Sequence, residues 1–194
     1  MSKKEPWTLQ RVVEFVKTLK MPHQAIAVIV FQSGLSLKDL LLLTYGDTKA
    51  EFESATVPLC LDIARHKTNV PFMTFVGRWG FSMLKEYLGS SPLSDDARLF
   101  TIGQRAIETH FKRVAAESLG HYNGRNPRRP HSLRAAFKTL LSDHQVDPLY
   151  SEFWMGHQVA EQQKVYVSKS RDGWRKTYFE QAEPWLTPKN WKKI

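Results

Sequence analysis

The chain has 194 residues, 42% apolar and 24% charged, a composition that suits one folded domain and excludes a disordered chain or a fibrous repeat. Lys and Arg total 28 against 19 Asp and Glu, a net charge of +9, so a polyanionic partner is expected, either nucleic acid or an acidic membrane surface. Cys60 is the only cysteine, which excludes a disulfide framework or thiolate zinc cluster within one chain.

The first residues, Met-Ser-Lys-Lys-Glu-Pro-Trp, lack the apolar run of a secretory signal, and the longest apolar run, Ala25 to Phe31, is too short to span a bilayer. The expected location is therefore cytoplasmic, in host cytoplasm or nucleoid, with no membrane partner. From Thr8 to Leu19 apolar residues recur at helical spacing, and Pro6 and Thr8 suit the start of that helix. Met21-Pro22 breaks the pattern. A second helix, apolar on all sides and hence buried, is expected from His23 to Phe31. Ser33-Gly34 ends it, and Ser36 caps a third helix carrying Leu37, Leu40, Leu41 and Leu43.

After Gly46-Asp47 the texture changes. Val57 to Ala64 and Val70 to Val76 read as the strands of a β-hairpin turning at Lys67-Thr68-Asn69. Helical spacing returns from Gly77 to Leu88, and Gly89 to Asp96 is a surface loop. Further helices are expected over Thr101–Leu119, His131–His144, Pro148–Trp154 and Asp172–Ala182, with a basic loop at His121 to Pro130. The fold class is α+β, mainly helical with a small antiparallel sheet, and the whole of 1–194 is expected to be one domain.

Charge is uneven. No acidic residue lies between Glu117 and Asp143, yet that stretch holds Arg125, Arg128, Arg129, Arg134 and Lys138. Pro127 and Pro130 stiffen the segment ahead of a helix amino terminus, itself favourable to phosphate. These cations, with Arg65, are the candidates for DNA backbone contact; a solvated basic surface is the alternative. Phosphate loops, serine elbows and zinc-protease helices are absent from the sequence, and the seven histidines show no metal-ligand spacing. The carboxy-terminal third instead carries His131-Ser-Leu-Arg134, then Trp154-Met-Gly-His157, then Tyr166 nine residues later.

With those pieces in order, the chain resembles the catalytic domain of the tyrosine recombinases, the phage-type integrases and Xer-like enzymes, particularly archaeal and archaeal-virus members. Ser33 to Leu40 together with Tyr45-Gly46-Asp47 is similar to the family's first box. Lys67 occupies the hairpin turn that carries its lysine, His131-x-x-Arg134 matches its second box, and Met155-Gly156-His157 matches its histidine motif. The resemblance implies cleavage and rejoining of double-stranded DNA, for integration or excision of a mobile or viral element, with no cofactor and no metal. It implies Tyr166 as nucleophile of a 3′-phosphotyrosine link and Lys67 as acid for the leaving 5′ oxygen. His131 would assist proton transfer, while Arg134 and His157 hold the scissile phosphate. It also implies tetramers on DNA that exchange carboxy-terminal segments. Trp174, Tyr178, Phe179 and Trp185 are candidates for that docking surface or, alternatively, for the chain's own core.

Two departures stand out. The first-box arginine position holds Ser36, although Asp39 keeps the acidic position that normally supports the arginine; Lys38 would point to another face of the helix. Loss of one fixed donor to a developing oxyanion costs ~10² to 10³ in rate. Three explanations are open: a replacement cation such as Arg65, Arg128, Arg129 or one from a neighbouring protomer; a weakened or inactivated enzyme; or a DNA-binding module without chemistry. Second, only the helix at Thr8 to Leu19 precedes the first box where the family usually places a separate core-binding domain, and two readings are open: the sequence is a piece of a longer protein, or it is a minimal recombinase with a weaker grip on the duplex and poorer site selection.

Overall fold

A computed structural model describes residues 7–89, 93–119, 128–160, 162–163 and 167–193. Thr8 caps helix α1 (Leu9–Lys17), its hydroxyl accepting from the Arg11 N–H at 3.3 Å. Its inward positions Val12, Phe15 and Val16 are buried, as the spacing requires. Helix α2 (His23–Ser33) is buried from Ala25 to Ser33 and forms the axis of the core, packing against α1 and the later elements. It ends at Gly34, whose φ of 65° is the left-handed conformation that glycine adopts without a Cβ penalty. Helix α3 (Leu37–Leu42) starts at the expected cap: the Ser36 hydroxyl accepts from the Asp39 N–H at 3.1 Å.

Strands β1 (Leu59–Ala64) and β2 (Pro71–Val76) make an antiparallel pair in which Cys60 faces Phe75 and Ala64 faces Pro71. Both strands start one or two residues later than the sequence suggests. Pro58 brings no N–H to a ladder, and the connection is longer than a tight turn, with the Arg65 N–H bonded to the Val70 carbonyl and the Asn69 N–H to the Arg65 carbonyl. Burial pushes the Cys60 thiol up to about 12, which fits its expected role as a packed residue.

A short helix precedes the hairpin, α4 (Lys49–Glu53), with no counterpart among the elements expected from the sequence. Helices α5 (Arg78–Leu88), α6 (Gln104–Leu119), α7 (Pro130–Asp143), α8 (Pro148–Trp154) and α9 (Arg171–Gln181) follow as expected, α6 beginning after Gly103 and α7 with Pro130 in its first turn. Another short helix, α10 (Glu183–Leu186), and a final 3₁₀ turn (Trp191–Lys193) were also not anticipated. Four- and five-residue helices carry too little periodicity to be read from sequence.

The carboxy-terminal elements are fastened to the last turn of α2. Gln32, fully buried, donates to the Leu186 carbonyl at 3.2 Å and the Thr187 hydroxyl at 2.8 Å, and accepts from the Gly80 N–H at 2.8 Å. Gly80 is required there, since a Cβ would sit 2.5 Å from Val76 and 2.7 Å from Gln32. The Tyr178 hydroxyl donates to the Gln32 carbonyl at 2.8 Å. Trp174 and Tyr178 are 1% and 0% exposed, so these two belong to the chain's own core and not to an open docking face. Phe179 and Trp185 stay outside, the first beneath Arg78 and the second stacked on His144. Among the described residues no helix is long and apolar enough to cross a membrane.

Between α2 and α6 the imidazoles of His23 and His110 stack with centroids 3.9 Å apart, and each has a buried Nε2 with no partner. Burial lowers both from their ordinary 6.5, aided by the neighbouring charge of Arg113. The unfolded chain therefore takes up protons first as pH falls below about 6.5, and folding weakens progressively from there until the folded imidazoles also titrate. Urea unfolding at pH values on either side of 6.5 should show this loss in the wild type. His110→Gln should reduce the difference between the two midpoints, and an equal difference in the variant would exclude the pair as its source.

Candidate active site

Helix α7 brings His131 to its first turn and Arg134 one turn later. The same helix buries Leu133, Ala136 and Phe137, so Arg134 is carried inward and is only 4% exposed. Its guanidinium donates to the carbonyls of Gly34 and Met155, the latter at 2.8 Å, and lies 2.9 Å from His157 Nε2. Two left-handed glycines make this possible. Gly34 and Gly156 both have φ of 65°, and a Cβ at either would lie 2.8 Å from an aromatic ring, Phe137 or Phe72. Burial first, and the nearby charge of Arg65 second, lower Arg134 to about 10, so it remains a cation at neutral pH.

His157 follows the Gly156 turn at the end of α8. Its Nδ1 bonds to Glu152, while Arg134 occupies Nε2. Because a guanidinium only donates, Nε2 must accept, and the proton of the neutral ring sits on Nδ1 facing the carboxylate. Glu152 also binds Lys138. Burial would raise the Glu152 carboxyl, but the hydrogen bonds from Lys138 and His157 outweigh it and hold the group below its ordinary range. Glu152 was missed by the sequence reading: its link to His157 crosses a helix end and exists only because of the glycine turn.

Ser36 lines the same cleft from the start of α3. Its hydroxyl donates to Asp39 Oδ2 at 2.6 Å, and Asp39 Oδ1 accepts from the His66 N–H at 2.9 Å. Asp39 thus ties the end of the hairpin to the start of α3. That tie delivers Arg65, whose Nη1 is 3.3 Å from the Gly156 carbonyl. One cleft is lined by Ser36, Arg65, His131, Arg134, Lys138 and His157. A second shares Ser36 and Arg65 and adds Lys38, His66 and Lys67. Lys38, expected on another face, therefore lines this second cleft with Ser36.

The remaining candidates are placed differently. Arg128 donates to the Arg11 carbonyl at 3.3 Å and lies over the rings of Trp7 and Phe15, 5.2 and 5.4 Å from their centroids. It is engaged with α1, away from the cleft lining. Arg129 is the cap residue of α7. Tyr166 and Arg125 lie outside the described residues. Among the described residues, no cluster of His, Cys, Asp and Glu is suited to hold a metal ion.

Residues 5–172 match the sequence profile described as the phage integrase family. The chain belongs to the phage integrase family. Its fold is that of the tyrosine recombinase catalytic domain, shared with solved members of low identity. XerH site-specific recombinase, in a pre-cleavage complex with its difH substrate, is 18% identical with a TM-score of 0.59, covering 84% of this chain and 50% of that one. XerA recombinase is 16% identical with a TM-score of 0.60, covering 91% of this chain and 64% of that one. The Tn1549 transposon integrase, in complex with transposon right end DNA, is 18% identical with a TM-score of 0.59, covering 94% and 67%. This phage integrase family chain thus spans about half to two thirds of the length of these proteins. No curated protein matches it.

Proposed function

We propose that the chain is the catalytic unit of a tyrosine-type site-specific recombinase, which cuts and rejoins double-stranded DNA in the integration or excision of a mobile element. The observation that carries this reading is the single cleft that Arg65, His131, Arg134 and His157 line together with Ser36. A cleft with two guanidiniums and two imidazoles suits a phosphodiester whose non-bridging oxygens gain charge in the transition state. The +9 net charge suits the same polyanion. Resemblance to archaeal and archaeal-virus integrases supports the mobile or viral setting, and assembly as a tetramer on DNA is part of the same proposal.

In this scheme the Tyr166 phenolic oxygen attacks phosphorus and passes its proton to His131. The new P–O bond to tyrosine forms as the bond from phosphorus to the 5′ oxygen breaks, and that oxygen takes a proton from Lys67. Arg134 holds a non-bridging oxygen, and His157 joins it once the phosphate draws the guanidinium off Nε2 and that nitrogen carries a proton. The phosphotyrosine conserves the energy of the broken bond, so no cofactor or metal enters the scheme. Attack of a 5′-hydroxyl from a second strand reverses each step and completes the exchange.

The test uses a pool of nicked duplexes of randomised sequence, whose short cleaved strand diffuses away and traps the intermediate. A protein–DNA adduct resistant to denaturing detergent is expected from the wild type and is expected to vanish in Tyr166→Phe. An adduct that persists in the variant would remove Tyr166 as nucleophile. Ser36 favours a second reading, a DNA-binding homologue without chemistry. Duplex binding by the wild type with no adduct from the pool is the outcome that supports it.

A further inference from the structure

Resting on the phosphate site proposed above, we propose that Arg65 is a catalytic residue of this chain, supplying from the hairpin the second guanidinium that position 36 lacks. The family's usual donor would come from the start of α3; here the contact to a non-bridging oxygen of the scissile phosphate comes from the end of β1.

Four observations place it there. The Ser36 hydroxyl is committed to Asp39, both as donor to the carboxylate and as acceptor from the N–H, so serine itself offers no cation and no idle donor. The carboxylate expected to support an arginine instead accepts the His66 N–H, and this fixes the residue adjoining Arg65 against the mouth of α3. Arg65 and Arg134 are then held by neighbouring carbonyls of one turn, Gly156 at 3.3 Å and Met155 at 2.8 Å, which sets the two guanidiniums side by side over the same cleft. Finally, Arg65 lines both clefts together with Ser36, and among the described residues no carboxylate forms an ion pair with it.

The other cations are placed less well. Arg128 lies over Trp7 and Phe15, Lys138 is paired with Glu152, and Lys38 lines only the second cleft. Electrostatics points the same way. Arg65 lies close enough to contribute, after burial, to the depression of Arg134. Two like charges held this close, which Asp39 and Glu152 offset in part, are relieved further when an anion arrives, and a phosphate with two non-bridging oxygens accepts a fork from each side. Arginine suits this position better than lysine because its planar fork is fixed, whereas an ammonium acts as a point charge.

The experiment compares wild type, Arg65→Gln, Arg65→Lys and Arg65→Gln/Ser36→Arg in two assays, with thermal melts as a control for folding. One assay is the rate of adduct formation on the nicked pool. The other is the salt dependence of binding to an intact mixed-sequence duplex. Arg65→Gln is expected to cleave ~10² to 10³ more slowly and to lower the slope of log K against log salt by about 1. Arg65→Lys should keep the slope and still cleave slowly, and the double variant should regain cleavage over Arg65→Gln. An unchanged salt slope in Arg65→Gln overturns the proposal, as does an unchanged rate where the wild type cleaves. If the wild type forms no adduct, the recombinase reading fails while the slope still decides whether Arg65 binds phosphate.

Discussion

Arg134→Gln is expected to abolish detectable adduct formation and to destabilise the fold by about 3 kcal/mol, the only one of the cleft cations expected to do both. The reason is its double employment. Its guanidinium carries five N–H donors, and three contacts are already made inside the protein, to Gly34, Met155 and His157. Glutamine cannot reach all three, so at least one buried carbonyl loses its partner, a loss of about 1 to 3 kcal/mol for each group left unsatisfied. His157 loses the donor that holds Nε2, so its ring is no longer fixed from both sides. The developing charge on phosphate loses its most deeply buried cation, and in a site of this kind one donor is worth ~10² to 10³ in rate. Urea unfolding and the adduct assay separate the two effects. Arg65→Gln provides the contrast: Arg65 is half-buried with one carbonyl contact, so its loss should reach the rate and leave the unfolding midpoint near wild type. A stable, fully active Arg134→Gln would remove Arg134 from the site.

The parts of this architecture that follow from local rules were legible in the sequence. Ser36 is a side-chain cap because Asp39 follows three residues on, α2 is buried because every face of it is apolar, and His131 and Arg134 share a helix face because they lie three apart. What depends on register and on turns was not legible. Arg65 reaches the cleft because the turn that follows β1 is bound to Asp39 through the His66 N–H, a pairing across 27 positions of sequence. Glu152 meets His157 only after the chain reverses at Gly156, and the sequence marks that turn with a glycine but says nothing about what the turn brings together. Lys38 follows the same logic: the helix wheel turns it away from Ser36, but α3 is so short that its first residues still edge a cleft formed with the hairpin. The aromatic residues of α9 divided along the helical period. Trp174 and Tyr178, four apart, share the buried face, and Phe179 falls outside it.

That division predicts a large stability effect. Trp174→Ala should lower the free energy of unfolding by about 3 to 5 kcal/mol, the range for removing a fully buried tryptophan, while Phe179→Ala should stay within about 0.5 kcal/mol of wild type. Trp174 packs edge-on against Trp154 and Tyr150, lies flat on Phe153, and donates its indole N–H to the Val167 carbonyl at 3.1 Å. Lys169 sits over its ring with the ammonium 4.8 Å from the centroid. Alanine leaves a cavity among rigid aromatic neighbours that cannot close around it, and it strands the Val167 carbonyl. The comparison also settles how α9 is held. If α9 packs within its own chain, the Trp174→Ala loss appears in dilute protein without DNA and does not depend on protein concentration. Were α9 seated on a neighbouring copy instead, the loss would grow or shrink with concentration, and Trp174 would behave as an interface residue. Chemical unfolding of both variants over a wide range of protein concentrations distinguishes the two, and the tie from Tyr178 to the last turn of α2 makes concentration-independent behaviour the expected result.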